Sequence, residues 1–351
     1  MTLIFCGISA IPLLTAPFKT PVSKNNHENR TLAKWPETAN LYDGFAEYAA
    51  DINQYLEDHI IWREPILKLY AKLKFKILNT GSSDRAKIGK NGWLFLGTWD
   101  VMGNIQGVNP ISQEEAQTWV TNALQIQKTV DQYGGKLLIA LVPDKAQVYP
   151  EHLPSYIKYD RQNRRADVLA KIAKSANLDV IDLIHEMKSV KNTFPAYFKT
   201  DTHWTHEGAL HAYQVMVRHL NNGGFDLPLI DKSYLKNKPS HKFSGDLAKM
   251  LKLEDTFKEQ RDDLFAYKAY QTNIRDKSLL LLGDSFSGNM QQYWPYSFKS
   301  VIFKHHNWGN INLTQIRKAK ADVVILQIVE RGLICTLDLL PDDETSEACL
   351  H

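Results

Sequence analysis

Cysteine is scarce in this chain: Cys6, Cys335 and Cys349 are the only three in 351 residues, which excludes a disulfide framework and leaves no metal-ligand spacing of thiolates. Cys335 and Cys349 either close a small C-terminal loop in an oxidising compartment or stay as separate thiols. Excess charge is also missing. Lys and Arg number 42 against 39 Asp and Glu, and the formal +3 is too small for a nucleic-acid footprint, so no nucleic-acid partner is expected. Internal repeats and low-complexity tracts are absent. Long apolar runs are missing with one exception, Thr2 to Phe18, which carries no charge and ends at Lys19. One such run excludes a polytopic membrane protein and suits an export signal or signal-anchor. The basic residues that should precede a signal are lacking and Pro12 interrupts the run, so a buried N-terminal segment is the alternative. Leu3-Ile4-Phe5 ahead of Cys6 offers none of the small residues of a lipoprotein cleavage site.

What remains is ordinary globular composition, 44% hydrophobic and 23% charged, which rules out disorder and collagen. The length admits two domains or one large α/β domain. Lys24 to Glu37 is polar and reads as a linker. Leu41 to Leu78 has helical apolar spacing, and Ile88 to Leu96 reads as a hairpin turned at Asn91-Gly92. Five short apolar runs follow: Lys136–Val142, Leu178–Leu183, Ser278–Leu282, Ser300–Phe303 and Asp322–Ile328. Continuous apolar runs are the mark of parallel strands buried on both faces. Helical stretches at Gln113–Tyr133, Asp160–Ala176 and Leu313–Lys320 precede three of them, and Glu207–Leu220 stands before a long irregular stretch. Alternating helices and strands predict a three-layer α/β domain with a mainly parallel five-stranded sheet, to which the N-terminal helical and hairpin segments are additions.

The run Leu279-Leu280-Leu281-Leu282 enters Gly283-Asp284-Ser285, which places a hydroxyl at the C-terminal end of a parallel strand, where ligand sites of open sheets collect. Ser285 is therefore a candidate nucleophile, with its own backbone N–H a candidate oxyanion donor. A helix-capping serine is the plainer alternative. A serine needs a base, and the base an orienting group. Asp201-Thr202-His203 supplies both at a spacing that lets the carboxylate reach Nδ1 while Nε2 faces the serine. A structural histidine is one alternative, and a metal held by His203, His206 and Asp201 another. With no further clustered ligand, neither metal nor organic cofactor is expected.

Gly283-Asp284-Ser285-Phe286-Ser287 resembles the first block of SGNH hydrolases, whose Asp and His ordinarily follow the serine. Here Asp201 and His203 precede it by about eighty residues and are followed by Trp204. That order resembles the polysaccharide O-acetyltransferases of the alginate AlgJ/AlgX type. Glu28 to Ala33, Gly89 to Phe95, Val142 to Pro150 and Gly245-Asp246-Leu247 fit the same family, so the resemblance runs from about residue 28 to 333. It implies residues 28–335 as an SGNH-like domain, 1–27 as signal or anchor with linker, and 336–351 as a tail. It further implies a periplasmic protein that takes acetyl from a multi-pass membrane acyltransferase and passes it to hydroxyls of an exported polysaccharide, among other exopolysaccharide-biosynthesis proteins. Ser285 would be the acetylated nucleophile, His203 the base and acid, and Asp201 its orienting carboxylate. A carbohydrate acetylesterase and a non-catalytic polysaccharide-binding scaffold are the alternatives. The chain stops about twenty residues after Arg331, the extent expected of the AlgJ kind rather than of the AlgX kind with its C-terminal carbohydrate-binding module.

Two positions depart from ordinary SGNH enzymes. Gly309, within Asn307 to Asn312, is the expected second oxyanion donor, and Asn312 falls where another glycine would. Arg331 occupies the asparagine slot, either as an oxyanion or anion-binding group or as part of a buried arrangement with Glu330. Trp204, Trp308 and Lys145 are expected substrate contacts, the tryptophans by stacking on sugar faces and Lys145 by attracting an acidic polymer; core packing and a loop hydrogen bond are the alternatives.

Overall fold

The structure, a computed structural model, describes residues 33–36, 44–59, 63–266, 276–306, 310–335, 337 and 339–340. The uncharged N-terminal run, Cys6, Trp308, Gly309 and Cys349 lie outside these. Two helices, α1 (Phe45–His59) and α2 (Arg63–Leu78), lead into a hairpin of β1 (Ala86–Ile88) and β2 (Leu94–Leu96). The strands pair antiparallel with Ile88 opposite Leu94, so the connection is not the expected two-residue turn but a longer one with a 3-10 turn at Lys90–Gly92, in which Asn91 and Gly92 stand at positive φ.

The five apolar runs become β3 (Lys136–Val142), β4 (Val180–Asp182), β5 (Ser278–Gly283), β6 (Ser300–His305) and β7 (Val323–Val329). They form one sheet in the order β6-β5-β7-β3-β4. Every neighbouring pair in it is parallel. All seven residues of β7 are buried, as befits the middle strand. Side chains alternate between two cores. Leu138, Ala140, Val142, Leu279, Leu281, Val323 and Ile325 face one layer, which includes α5 (His206–Asn222). Leu137, Ile139, Leu141, Leu280, Leu282, Val324 and Leu326 face the other, built from α3 (Gln113–Asp131), α4 (Arg165–Ser175) and α6 (Leu313–Ala319). The domain is thus a three-layer α/β/α sandwich. A third, smaller core joins Ala71 of α2 and Ala86 and Leu94 of the hairpin to Leu247, Leu251 and Leu253 near the site-bearing loops, while Trp93 and Phe95 of the hairpin belong to the first core beside the sheet.

The stretch between α5 and β5, irregular by its sequence pattern, holds two short antiparallel ribbons. One pairs Leu235–Asn237 with Leu264–Ala266, the other His241–Phe243 with Glu259–Arg261. Three-residue strands show no period, which is why the sequence does not announce them. Asn312 caps α6, its side chain accepting from the amides of Thr314 and Gln315. Cys335 is disulfide-bonded, to a partner outside the described residues. No helix among the described residues is long and apolar enough to cross a membrane.

Leu326 sits fully buried in β7 with strands on both sides. Leu326→Ala is expected to lower unfolding free energy by about 3–4 kcal/mol, since a cavity there has rigid walls. Urea denaturation followed by circular dichroism measures it.

Candidate active site

Ser285 begins a single 3-10 turn, Ser285–Asn289, at the C-terminal end of β5. Its side chain is exposed. Asp284 before it is not a reacting group but a clamp. One oxygen accepts from the Phe286 amide at 2.9 Å, the other from the Val329 amide at 2.6 Å, so the serine turn is tied to the end of the neighbouring strand β7. Gly283 is required by close approach: a Cβ there would fall 1.8 Å from Ser287 Oγ.

The partners come from the loop leading into α5. His203 Nε2 lies 2.9 Å from Ser285 Oγ, and Nδ1 lies 2.7 Å from Asp201 Oδ1. The same Asp201 oxygen accepts from the His203 amide at 3.0 Å, which fixes the carboxylate beside its own loop. Burial works to raise the Asp201 carboxyl, but the His203 ring and the amides of Asp246 and His203 outweigh it and hold it down at about 2. Asp201, His203 and Ser285 therefore form a hydrogen-bonded chain with the arrangement of a Ser-His-Asp triad. His206, the other ring in the possible metal set, turns away and pairs with Asp263 at 2.9 Å.

The loop is held on every side. Lys145, just past β3, is buried and donates to the carbonyls of Phe198, Lys199 and Asp201 at 3.1, 3.1 and 2.7 Å. Burial lowers its amine to about 8 against the pull of Asp246, Asp201 and Glu259. Glu259 accepts from the amides of Lys199 and Thr200 and from the Thr200 hydroxyl. Asp246 takes the Thr202 amide at 2.8 Å and the Thr202 hydroxyl at 2.6 Å, and its own amide donates to Asp201 Oδ2 at 3.0 Å. Its Oδ2 is 4.0 Å from His203 Nδ1, which puts a second carboxylate near the imidazole. Gly245 permits this: a Cβ would sit 2.4 Å from the Thr200 carbonyl oxygen and 2.5 Å from Asp201 Cα. The sequence named Gly245-Asp246-Leu247 as a matching segment without assigning it work. A Gly-Asp pair after a long gap carries no local signal of what it buttresses.

Two expected substrate contacts are corrected. Trp204 is fully buried; its indole N–H donates to the Phe286 carbonyl at 2.9 Å while its ring packs edge-on against Phe286, so it bolts the base loop to the serine turn and cannot stack on a sugar. Lys145 is committed to three carbonyls beneath the loop and does not face a polymer. Arg331 is half-buried, donates to Asp144 at 2.7 Å and lies over the Phe286 ring at 5.0 Å. Glu330 is not its partner but meets buried Arg164 at 2.8 Å. Burial raises both Asp144 and Glu330 despite their arginines. Gly309 and Trp308 fall outside the described residues.

The parallel sheet, the Gly-Asp-Ser turn at a strand end and the His-Asp pair facing it define an SGNH-hydrolase-like domain. Residues 86–300, well over half of the chain, match the family described as SGNH hydrolase-like domain, acetyltransferase AlgX, and the chain belongs to that family. Among curated proteins it resembles the probable alginate O-acetylase AlgJ of Pseudomonas aeruginosa, 30% identical over 145 residues that cover 40% of this chain and 34% of the relative. The corresponding protein of Pseudomonas putida is 30% identical over 169 residues, 46% of this chain and 41% of the relative. The match thus spans less than half the length of either. Among solved structures, the O-acetyltransferase domain of Pseudomonas putida AlgJ superposes with a TM-score of 0.55 at 21% identity, over 72% of this chain and 94% of that one. A DHHW family protein from Eubacterium siraeum does so with a TM-score of 0.53 at 11% identity, over 73% and 94%. At those identities the likeness is one of fold.

Asp246→Asn exchanges an acceptor for a donor against Thr202 and is expected to slow labelling of Ser285 by a sulfonyl fluoride by about tenfold or more. Mass spectrometry reads it. Because Asp201 titrates below the roughly 3.9 of an unfolded aspartate, the stability it contributes is present above about pH 4 and lost as pH falls toward 2. The gap in urea midpoint between wild type and Asp201→Asn should narrow over that window.

Proposed function

We propose that this chain is an O-acetyltransferase that moves an acetyl group onto hydroxyls of an exported, alginate-like polysaccharide through an acetyl-Ser285 intermediate. The observation that carries the reading is the continuous chain from Asp201 Oδ1 through His203 to Ser285 Oγ, with spans of 2.7 and 2.9 Å. Membership of a family described as acetyltransferase, and relatives named alginate O-acetylase, supply the group transferred and the class of acceptor.

In the first half-reaction His203 Nε2 takes the hydroxyl proton as Ser285 Oγ attacks the acetyl carbonyl. The tetrahedral oxyanion is met by the Ser285 backbone N–H, with Gly309 and Arg331 as the further donors of this reading. The proton on Nε2 goes to the departing donor group, leaving the ester on Oγ. In the second half-reaction a sugar hydroxyl loses its proton to Nε2 and attacks the ester carbonyl; Oγ leaves and recovers that proton. Asp201 holds the ring in the tautomer with Nδ1–H and faces the transient imidazolium. No step calls for a metal or an organic cofactor.

The donor is a membrane acyltransferase that brings acetyl across the inner membrane, and the site of action is the periplasm, in company with other exopolysaccharide-biosynthesis proteins. The disulfide at Cys335 accords with an oxidising compartment. Trp308 remains the stacking residue of this reading. Residues 28–335 form the transferase domain, 1–27 the signal or anchor and 336–351 a tail.

Ser285→Ala is expected to lower acetyl transfer from an activated acetyl ester to mannuronate oligosaccharide by about 10⁴-fold or more, with folding unchanged. Wild-type protein should yield acetylated sugar and a trapped acetyl-serine peptide. Hydrolysis with no acetylated sugar at any acceptor concentration would sink the transferase reading in favour of an esterase, and unchanged turnover by the alanine variant would sink the catalytic one.

A further inference from the structure

Helix α2 has two apolar faces, and the fold covers only one. Ala71 is buried, and Phe75 packs beside it against Leu247, Leu251 and Phe257. The opposite side carries Ile66, Leu69, Tyr70, Leu73 and Ile77, spaced three or four apart so that at 100° per residue they form one stripe. With Leu78 at its end, each keeps between 48% and 73% of its surface exposed. Isolated exposed apolar residues are unremarkable, but six along one helix are not.

The margins of the stripe are basic. Lys72 and Lys76 run along one edge and Lys74 along the other. Glu64, a lone carboxylate on the helix, is engaged by Lys252 at 2.8 Å. Lys68, lower on the side toward the domain, is taken by Glu254, and Lys72 reaches Asp255 at 3.1 Å. An apolar stripe between lysines, on a helix of 16 residues and therefore about 24 Å long, has the chemistry of a helix that lies in the plane of a bilayer.

We propose that the outer face of α2 docks on an anionic phospholipid surface, apolar side chains entering the headgroup boundary and the flanking lysines meeting lipid phosphates. Charge chooses this occupant over a second copy of the chain. Two copies packed stripe to stripe would bring their Lys74 and Lys76 side chains together while the nearby carboxylates Asp255 and Glu64 are already held by Lys72 and Lys252, whereas an anionic surface draws those lysines in. Position agrees, because α2 begins about 45 residues after the uncharged Thr2–Phe18 run, the segment with the character of an anchor.

Hydrogen exchange of the full-length chain, read over residues 63–78 with and without vesicles, tests it. Phosphatidylglycerol vesicles are expected to slow exchange there by about fivefold or more and phosphatidylcholine vesicles to leave it unchanged. Because the readout is confined to α2, insertion of the N-terminal segment into either vesicle does not imitate the result. Leu69→Ser with Leu73→Ser, and separately Lys74→Glu with Lys76→Glu, should each abolish the slowing while exchange in β3 and β7 stays as in wild type. Exchange unaffected by either vesicle, or slowed equally by both, would overturn the proposal. So would protection without vesicles: if it grows with protein concentration alongside a doubled mass in light scattering, a second copy covers the face; if it persists on dilution and is lost in the serine variant, the chain's own N-terminal residues do.

Discussion

A loop of seven residues, Phe198 to Trp204, has to carry a buried carboxylate and an imidazole to a serine on a different element, and the active-site region is arranged around the polar demands of that loop. Its carbonyls would be costly to bury unpaired. Lys145 answers three of them, Glu259 answers two amides and a hydroxyl, and Asp246 answers Thr202. Charged groups lie on several sides of a small volume, and each is used to hold backbone rather than to meet solvent. That arrangement explains why a lysine at a strand end, where substrates collect, has no surface left to offer one.

The serine side is fixed by different means. Asp284 spans the ends of two adjacent strands through two amides, and Trp204 crosses from the base loop to the Phe286 carbonyl. Ser285 and His203 are thus each anchored to rigid scaffold and then to each other. Hydroxyl and imidazole are brought within hydrogen-bond reach by groups that do not themselves react, which is how preorganisation is built in general.

The sheet was legible because its strands are continuous apolar runs, and all five appear where the apolar runs stand. Ser285, His203 and Asp201 were legible because short motifs placed them at a strand end and a helix entrance. The roles of Trp204 and Lys145 were not, since type and position favour a ligand contact, and only burial distinguishes an indole that donates to a carbonyl from one that stacks on sugar. Asp246 and Glu259 were hidden for another reason. They act across separations of 44 and 59 residues, and nothing local marks a carboxylate that will meet an amide so far away. Arg331 shows the same limit, because neighbouring Glu330 is the partner its sequence position offers, yet the fold hands Glu330 to Arg164 and gives Arg331 Asp144.

The strand order has a consequence for how the chain is assembled as it emerges. The middle strand, β7, is the last of the five in the sequence, and it separates the β5-β6 pair from the β3-β4 pair. Until it arrives, one pair exposes an edge beside Ser285 and the other an edge beside Lys145, with no backbone ladder to join them. Ser285 and the Lys145 buttress are therefore joined through the sheet only once β7 is in place. Only when that closing strand has paired on both sides do Ser285 and the loop of His203 rest on one continuous sheet, so the topology sets an order of assembly as well as a geometry.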